Sequence, residues 1–140
     1  GDLDAAQAHY EAAVSLAPQD ALYLRLLAEF SMRYEVDVAN LGLPAARQAL
    51  ALQPQDAAVL DLLGEVYLAL GNDELAERFI RWAVLAQAEY APAWMHLGVL
   101  YLYRGEGAWG RTMLLRASQL AEPGSAVADQ TQRLMAHYFP

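Results

Sequence analysis

The chain has 140 residues, 56% of them hydrophobic, and a formal net charge of -8. That length suits one ordinary domain, and the charge speaks against nucleic acid and anionic lipid, both of which need clustered positive charge. All 9 basic residues are arginine, and there is no cysteine, so disulfides, thiolate metal sites and cysteine nucleophiles are excluded.

Alanine and leucine dominate the apolar fraction, and both favour helix over strand. Apolar residues recur at three- and four-residue steps through most of the chain. In chain order the pattern predicts helices over 2–17, 20–34, 43–53, 56–70, 72–87, 91–104, 106–121 and 125–138. Asp20, Asp56 and Asn72 stand where an N-cap oxygen can accept from free backbone N–H groups. Pro44 and Pro92 fit first-turn positions, where a missing N–H costs nothing. Gly71 and Gly105 end helices and let the chain turn back.

The helices repeat in pairs. Leu60, Leu63, Gly64, Tyr67, Gly71, Ala76, Ile80 and Ala83 return 34 residues later as Trp94, Leu97, Gly98, Tyr101, Gly105, Gly110, Leu114 and Ala117. Upstream, Pro18 to Ala21 returns 36 residues later as Pro54 to Ala57, while Gly42 and Ala49 keep the spacing of 34 to Ala76 and Ala83. Two extra residues therefore lie between Ser31 and Gly42. Gly64 and Gly98 sit inside helices, at about 1 kcal/mol each relative to alanine. The offsetting gain is expected from close approach of the paired helix at Ala76 and Gly110, with Tyr67 and Trp94 filling the space beside it.

This unit, with Trp94, Leu97, Gly98 and Tyr101 followed by small and large apolar positions, resembles the tetratricopeptide repeat. The resemblance covers residues 1 to 124 and is weakest in the unit from Ala21, where Ser31 replaces an aromatic residue. It implies an all-α, right-handed superhelix of stacked antiparallel hairpins. The expected division is a second half of a repeat (1–18), a degenerate repeat with the insertion (19–54), two repeats (55–88 and 89–124) and a capping helix (125–140). The N-terminal half repeat leaves an apolar face in want of a neighbour, either an earlier repeat or another chain.

In the resembling family the first helix of each hairpin lines a concave groove. The candidates here are Arg25, Glu29, Met32 and Arg33, then Asp61, Leu62, Glu65 and Leu68, then Met95, His96, Val99, Leu102 and Tyr103. Each series forms one stripe. The groove is expected to be mixed in charge at one end, acidic in the middle and apolar at the other. A ligand would carry a basic residue opposite Asp61 and Glu65 and an apolar anchor near Met95 and Val99. The expected function is a non-catalytic adaptor that holds another protein or peptide. A self-associating module, or a regulatory segment of a larger protein, is the alternative. Some relatives clamp the carboxylate tails of chaperones. The absence of lysine and an acidic middle argue against that mode here.

No chemistry is visible along the sequence. His9, His96 and His137 lack a second ligand three or four residues away, so no metal or cofactor is expected. Asp73, Glu74 and Glu77 suit a helix N-terminus, with a catalytic carboxylate pair as the remote alternative. Gly105 to Gly107 lacks the residues of a phosphate loop, and no serine has a nucleophile motif. Composition hints at a bacterial source and leaves the compartment open.

Overall fold

The computed structural model describes residues 2–140. Eight α-helices follow one another: α1 (Leu3–Leu16), α2 (Ala21–Tyr34), α3 (Leu43–Leu52), α4 (Ala57–Ala69), α5 (Asp73–Ala86), α6 (Ala91–Tyr103), α7 (Gly107–Leu120) and α8 (Ala126–Tyr138). No strand occurs among the described residues. The caps are local. Asp2, Asp20, Asp56, Asn72 and Ser125 each accept a backbone N–H of the first turn that follows. Gly71 and Gly105, at φ 79° and 77°, take the left-handed conformation that turns α4 into α5 and α6 into α7.

Within a hairpin the two helices touch through missing side chains. A Cβ built on Gly64 would lie 2.4 Å from Ile80 Cγ1 and 3.1 Å from the Ala76 carbonyl oxygen. In the next hairpin a Cβ on Gly98 would lie 2.8 Å from Leu114 Cγ and 3.2 Å from the Gly110 carbonyl oxygen. Tyr67 fills the space beside the first contact, stacked on Phe79 at 5.6 Å between centroids. Trp94 behaves otherwise. Its ring is half-buried, its Nε1–H donates to the Ala88 carbonyl at 2.8 Å, and the Arg116 guanidinium lies 5.9 Å from its centroid.

The hairpins α2–α3, α4–α5 and α6–α7 stack in order. Consecutive first helices pack on one another, α2 on α4, α4 on α6 and α6 on α8. Among the described residues, the second helices α1, α3, α5 and α7 pack on first helices and not on each other. A stack drawn together along one layer and splayed along the other curves toward the tighter layer, so the first helices form the inner wall.

Repeat geometry is disturbed once, between α2 and α3. Glu35 and Asp37 adopt left-handed φ values of 54° and 42°, and a π-helical turn (Val38–Gly42) leads into α3. Ser31 is fully buried there, and its hydroxyl donates to the Val36 carbonyl at 2.6 Å. A Cβ on Gly42 would lie 2.7 Å from the same hydroxyl. An aromatic ring at position 31 would have no room, which is the physical reason for the serine.

The main core runs through α2 to α6, centred on Leu27, Leu60, Leu63, Ile80 and Leu97. At the C-terminal end Met95, Leu114 and Ala117 are covered by Val127, Leu134, Met135 and Phe139. Thr131 of α8 is fully buried, while its polar residues Asp129, Gln130, Gln132 and Arg133 remain exposed. Helix α8 therefore has one covered face and one wet face.

Candidate functional site: the inner wall of α2, α4 and α6

The stripe residues divide by how far they turn from the packing positions. On α2, Glu29 and Arg33 are exposed and Arg25 and Met32 are half-buried. Arg25 Nε lies 3.4 Å from Glu29 Oε1 one turn along, so that pair is largely self-neutralised. On α4, Glu65 and Leu68 are half-buried and reach the surface. On α6, Val99 is half-buried and Tyr103 is exposed.

Three expected surface residues are interior. Asp61, Leu62 and Met95 are only 3–5% accessible. Met95 is covered because α8 stacks on α6 as the next inner helix, and Leu62 is sealed into the main core. Leu102 is half-buried in the same C-terminal cluster, where it fills the space left by Gly110. The apolar end of the wall is therefore narrower than expected and rests on Val99 and Tyr103.

Asp61 is buried against a partner from the next hairpin. His96 Nδ1 lies 2.8 Å from Asp61 Oδ1 and 3.0 Å from Oδ2. An ionised carboxylate only accepts, so Nδ1 carries the proton and donates. The other ring nitrogen, Nε2, lies 3.7 Å from Glu65 Oε1. Asp61 and Glu65 share one face of α4, and one donor atom from each of Asp61, Glu65 and His96 falls within a common 4.8 Å. Burial alone would push the imidazole pKa down. The Asp61 and Glu65 carboxylates more than reverse this and lift it to about 9. Burial raises the Glu65 carboxyl above its ordinary value; His96 opposes that shift, while Asp61 and Glu29 add to it.

Tyr90, the residue before α6, belongs to the same neighbourhood. Burial first, and then the negative field of Asp61, push its phenol well above the ordinary range. The middle of the wall is thus an internally compensated cluster, with Glu65 as its outward charge. Tyr90 and the Asp61–His96 contact were both missed along the sequence. The signal was available: neighbouring inner helices place residue i beside residues about one period on, and Asp61 and His96 are 35 apart.

A second polar cluster ties the outer edge. Arg47 Nη2 of α3 donates to the Tyr67 hydroxyl of α4 at 2.6 Å. One period later Arg81 of α5 donates to the Tyr101 hydroxyl of α6, which donates to Glu77 Oε1 at 3.1 Å. Glu77 also accepts from Arg81 Nε at 2.9 Å and Arg104 Nη1 at 2.6 Å. These residues bind hairpin to hairpin. Surface hollows lie away from the inner wall, such as one of about 260 Å³ lined by Pro54, Leu60, Trp82 and Leu85.

A sequence model described as tetratricopeptide repeat matches residues 1–20. No curated protein sequence matches the chain. Solved structures share the fold across nearly the whole chain. A MamA crystal structure aligns with TM-score 0.73 at 21% identity, over 98% of this chain and 78% of that one. TTC0263, a thermophilic tetratricopeptide protein of Thermus thermophilus, aligns with TM-score 0.78 at 24% identity, over 95% and 74%. The first such domain of Spaghetti (RPAP3), bound to the HSP90 peptide SRMEEVD, aligns with TM-score 0.69 at 17% identity, over 85% and 92%. Among the described residues, no helix is long and apolar enough to cross a membrane.

Proposed function

We propose that this chain, a helical solenoid of tetratricopeptide-repeat fold, is a non-catalytic interaction module that holds a segment of another polypeptide on its inner wall. The observation that carries this is the continuity of that wall. Helices α2, α4 and α6 pack on one another in order, and Arg33, Glu29, Glu65, Val99 and Tyr103 on them reach the surface. Residues there mix charge with apolar and aromatic surface, which suits an extended peptide better than a small molecule. The solved RPAP3 complex supports peptide capture by this fold.

The ligand chemistry follows from the outward groups. A basic residue of the partner pairs with Glu65, and an apolar or aromatic residue packs on Val99 and Tyr103. Glu29 and Glu65 repel an acidic tail such as that of the HSP90 peptide. Catalysis is disfavoured because Asp61, His96 and Glu65 compensate one another beside a wall rather than in a closed pocket.

Selection of peptides from a random display library tests this. Recovered sequences should be rich in arginine or lysine next to apolar residues. They should bind the Val99→Asp variant at least tenfold more weakly and the Leu85→Asp variant, altered on α5, unchanged. Equal binding to Val99→Asp would refute the assignment.

Self-association is the second reading. Helix α1 buries no residue completely, Leu16 is 88% exposed, and Trp82 and Leu85 are exposed on α5. Sedimentation equilibrium across micromolar to millimolar chain should then show a dimer that Leu16→Asp or Leu85→Asp dissolves. A monomer throughout removes this reading.

A further inference from the structure

We propose that His96 Nε2 and Glu65 bind a divalent cation of the zinc class at the inner wall, with Asp61 fixing the imidazole from behind. This does not depend on peptide capture. The arrangement begins with the stacking of α4 and α6, which brings His96 over the Asp61–Glu65 face. Nδ1–H is committed to both oxygens of Asp61, at 2.8 Å and 3.0 Å. That commitment orients the ring and leaves Nε2 as the coordinating nitrogen, which gives up its proton when the cation binds. Carboxylate–histidine–metal arrangements are built this way.

The second distance carries the argument further. Nε2 and Glu65 Oε1 stand 3.7 Å apart, beyond hydrogen-bonding range. Two donors on one tetrahedral zinc, each roughly 2.0–2.1 Å from the metal, stand about 3.3 Å apart. The difference is a few tenths of an ångström, and the Glu65 side chain, 38% exposed, can close it by rotation. The Asp61 and Glu65 carboxylates beside the imidazole supply negative charge for a doubly charged cation. The exposed flank of Glu65 gives the cation a path from the wall, and its remaining positions take water.

Isothermal titration of the whole chain with ZnCl₂, in metal-stripped buffer, tests the site. The expected result is one saturable equivalent, with visible absorption bands on Co²⁺ substitution. His96→Asn retains an amide donor for Asp61 and removes the metal ligand, so it should fold and lose the equivalent. Glu65→Gln should weaken binding at least tenfold, and it is a near-isosteric change at a partly exposed side chain. Asp61→Asn should weaken binding about 10- to 100-fold through loss of orientation. Zinc binding unchanged in His96→Asn or Glu65→Gln, or no saturable binding by wild type up to about millimolar zinc, would overturn the assignment.

Discussion

Replacing Gly64 by alanine sets two effects of opposite sign against each other. In an open helix the change would stabilise by about 1 kcal/mol, because alanine has the better helix propensity. Here the added Cβ would meet Ile80 Cγ1 at 2.4 Å, the Ala76 carbonyl oxygen at 3.1 Å and the Ile80 nitrogen at 3.2 Å. Two of these are backbone atoms, and Ile80 is a fully buried β-branched residue with little rotamer freedom. Helices α4 and α5 must therefore separate. Overpacking of this kind costs about 1–3 kcal/mol, and so short a contact belongs in the upper half of that range. The net expectation is a loss of about 1–2 kcal/mol, or roughly 3–8 °C in melting temperature for a chain of this size. Ile80→Ala alone should cost about 2–5 kcal/mol through its cavity. In the double variant the new Cβ fills part of that cavity, so the combined loss should fall short of the sum. Urea denaturation of the four proteins measures the cycle. A higher melting temperature for Gly64→Ala, or strict additivity, would refute the close-contact account.

Two further predictions concern side chains at the hairpin edges. Trp94→Ala should cost about 2 kcal/mol in urea denaturation, below the ~3–5 kcal/mol of a fully buried ring, because Trp94 is half-buried. Burial would raise the Glu77 carboxyl, but hydrogen bonds from Arg104, Arg81 and Tyr101 outweigh it and hold the group below its ordinary 4.5. Its stabilising contribution is thus complete above pH 4.5 and is lost as pH falls through the lower folded value. Thermal melts taken from about pH 5 to pH 3 should show a slope that Glu77→Gln reduces. An identical slope in that variant would remove Glu77 from the account.

The fold was legible because its packing is written in residue types. Gly64 with Ala76, and Gly98 with Gly110, need small residues at a fixed spacing, and a period of 34 exposes them. The disturbed unit was also visible as a lapse, Ser31 in an aromatic position, although the left-handed Glu35 and Asp37 and the π-helical turn behind it were not. The inner wall was legible only as a stripe. A helical stripe says which residues share a face, and the neighbouring helix decides how much of that face it covers. Hence Met95 was expected in the open and lies under α8, whose own sequence departs from the repeat. Asp61 was expected as a free charge and is paired with His96, because the contact crosses from α4 to α6 and leaves no ligand spacing along either helix.

Methyl NMR spectra of the chain, recorded with and without a display-selected peptide, test the central claim most directly. The account predicts that shifts concentrate on Met32, Leu68 and Val99 of the inner helices, with the Leu85 and Leu16 methyls unmoved. Shifts confined to Leu85 and Leu16, with the inner-wall methyls unchanged, would contradict it.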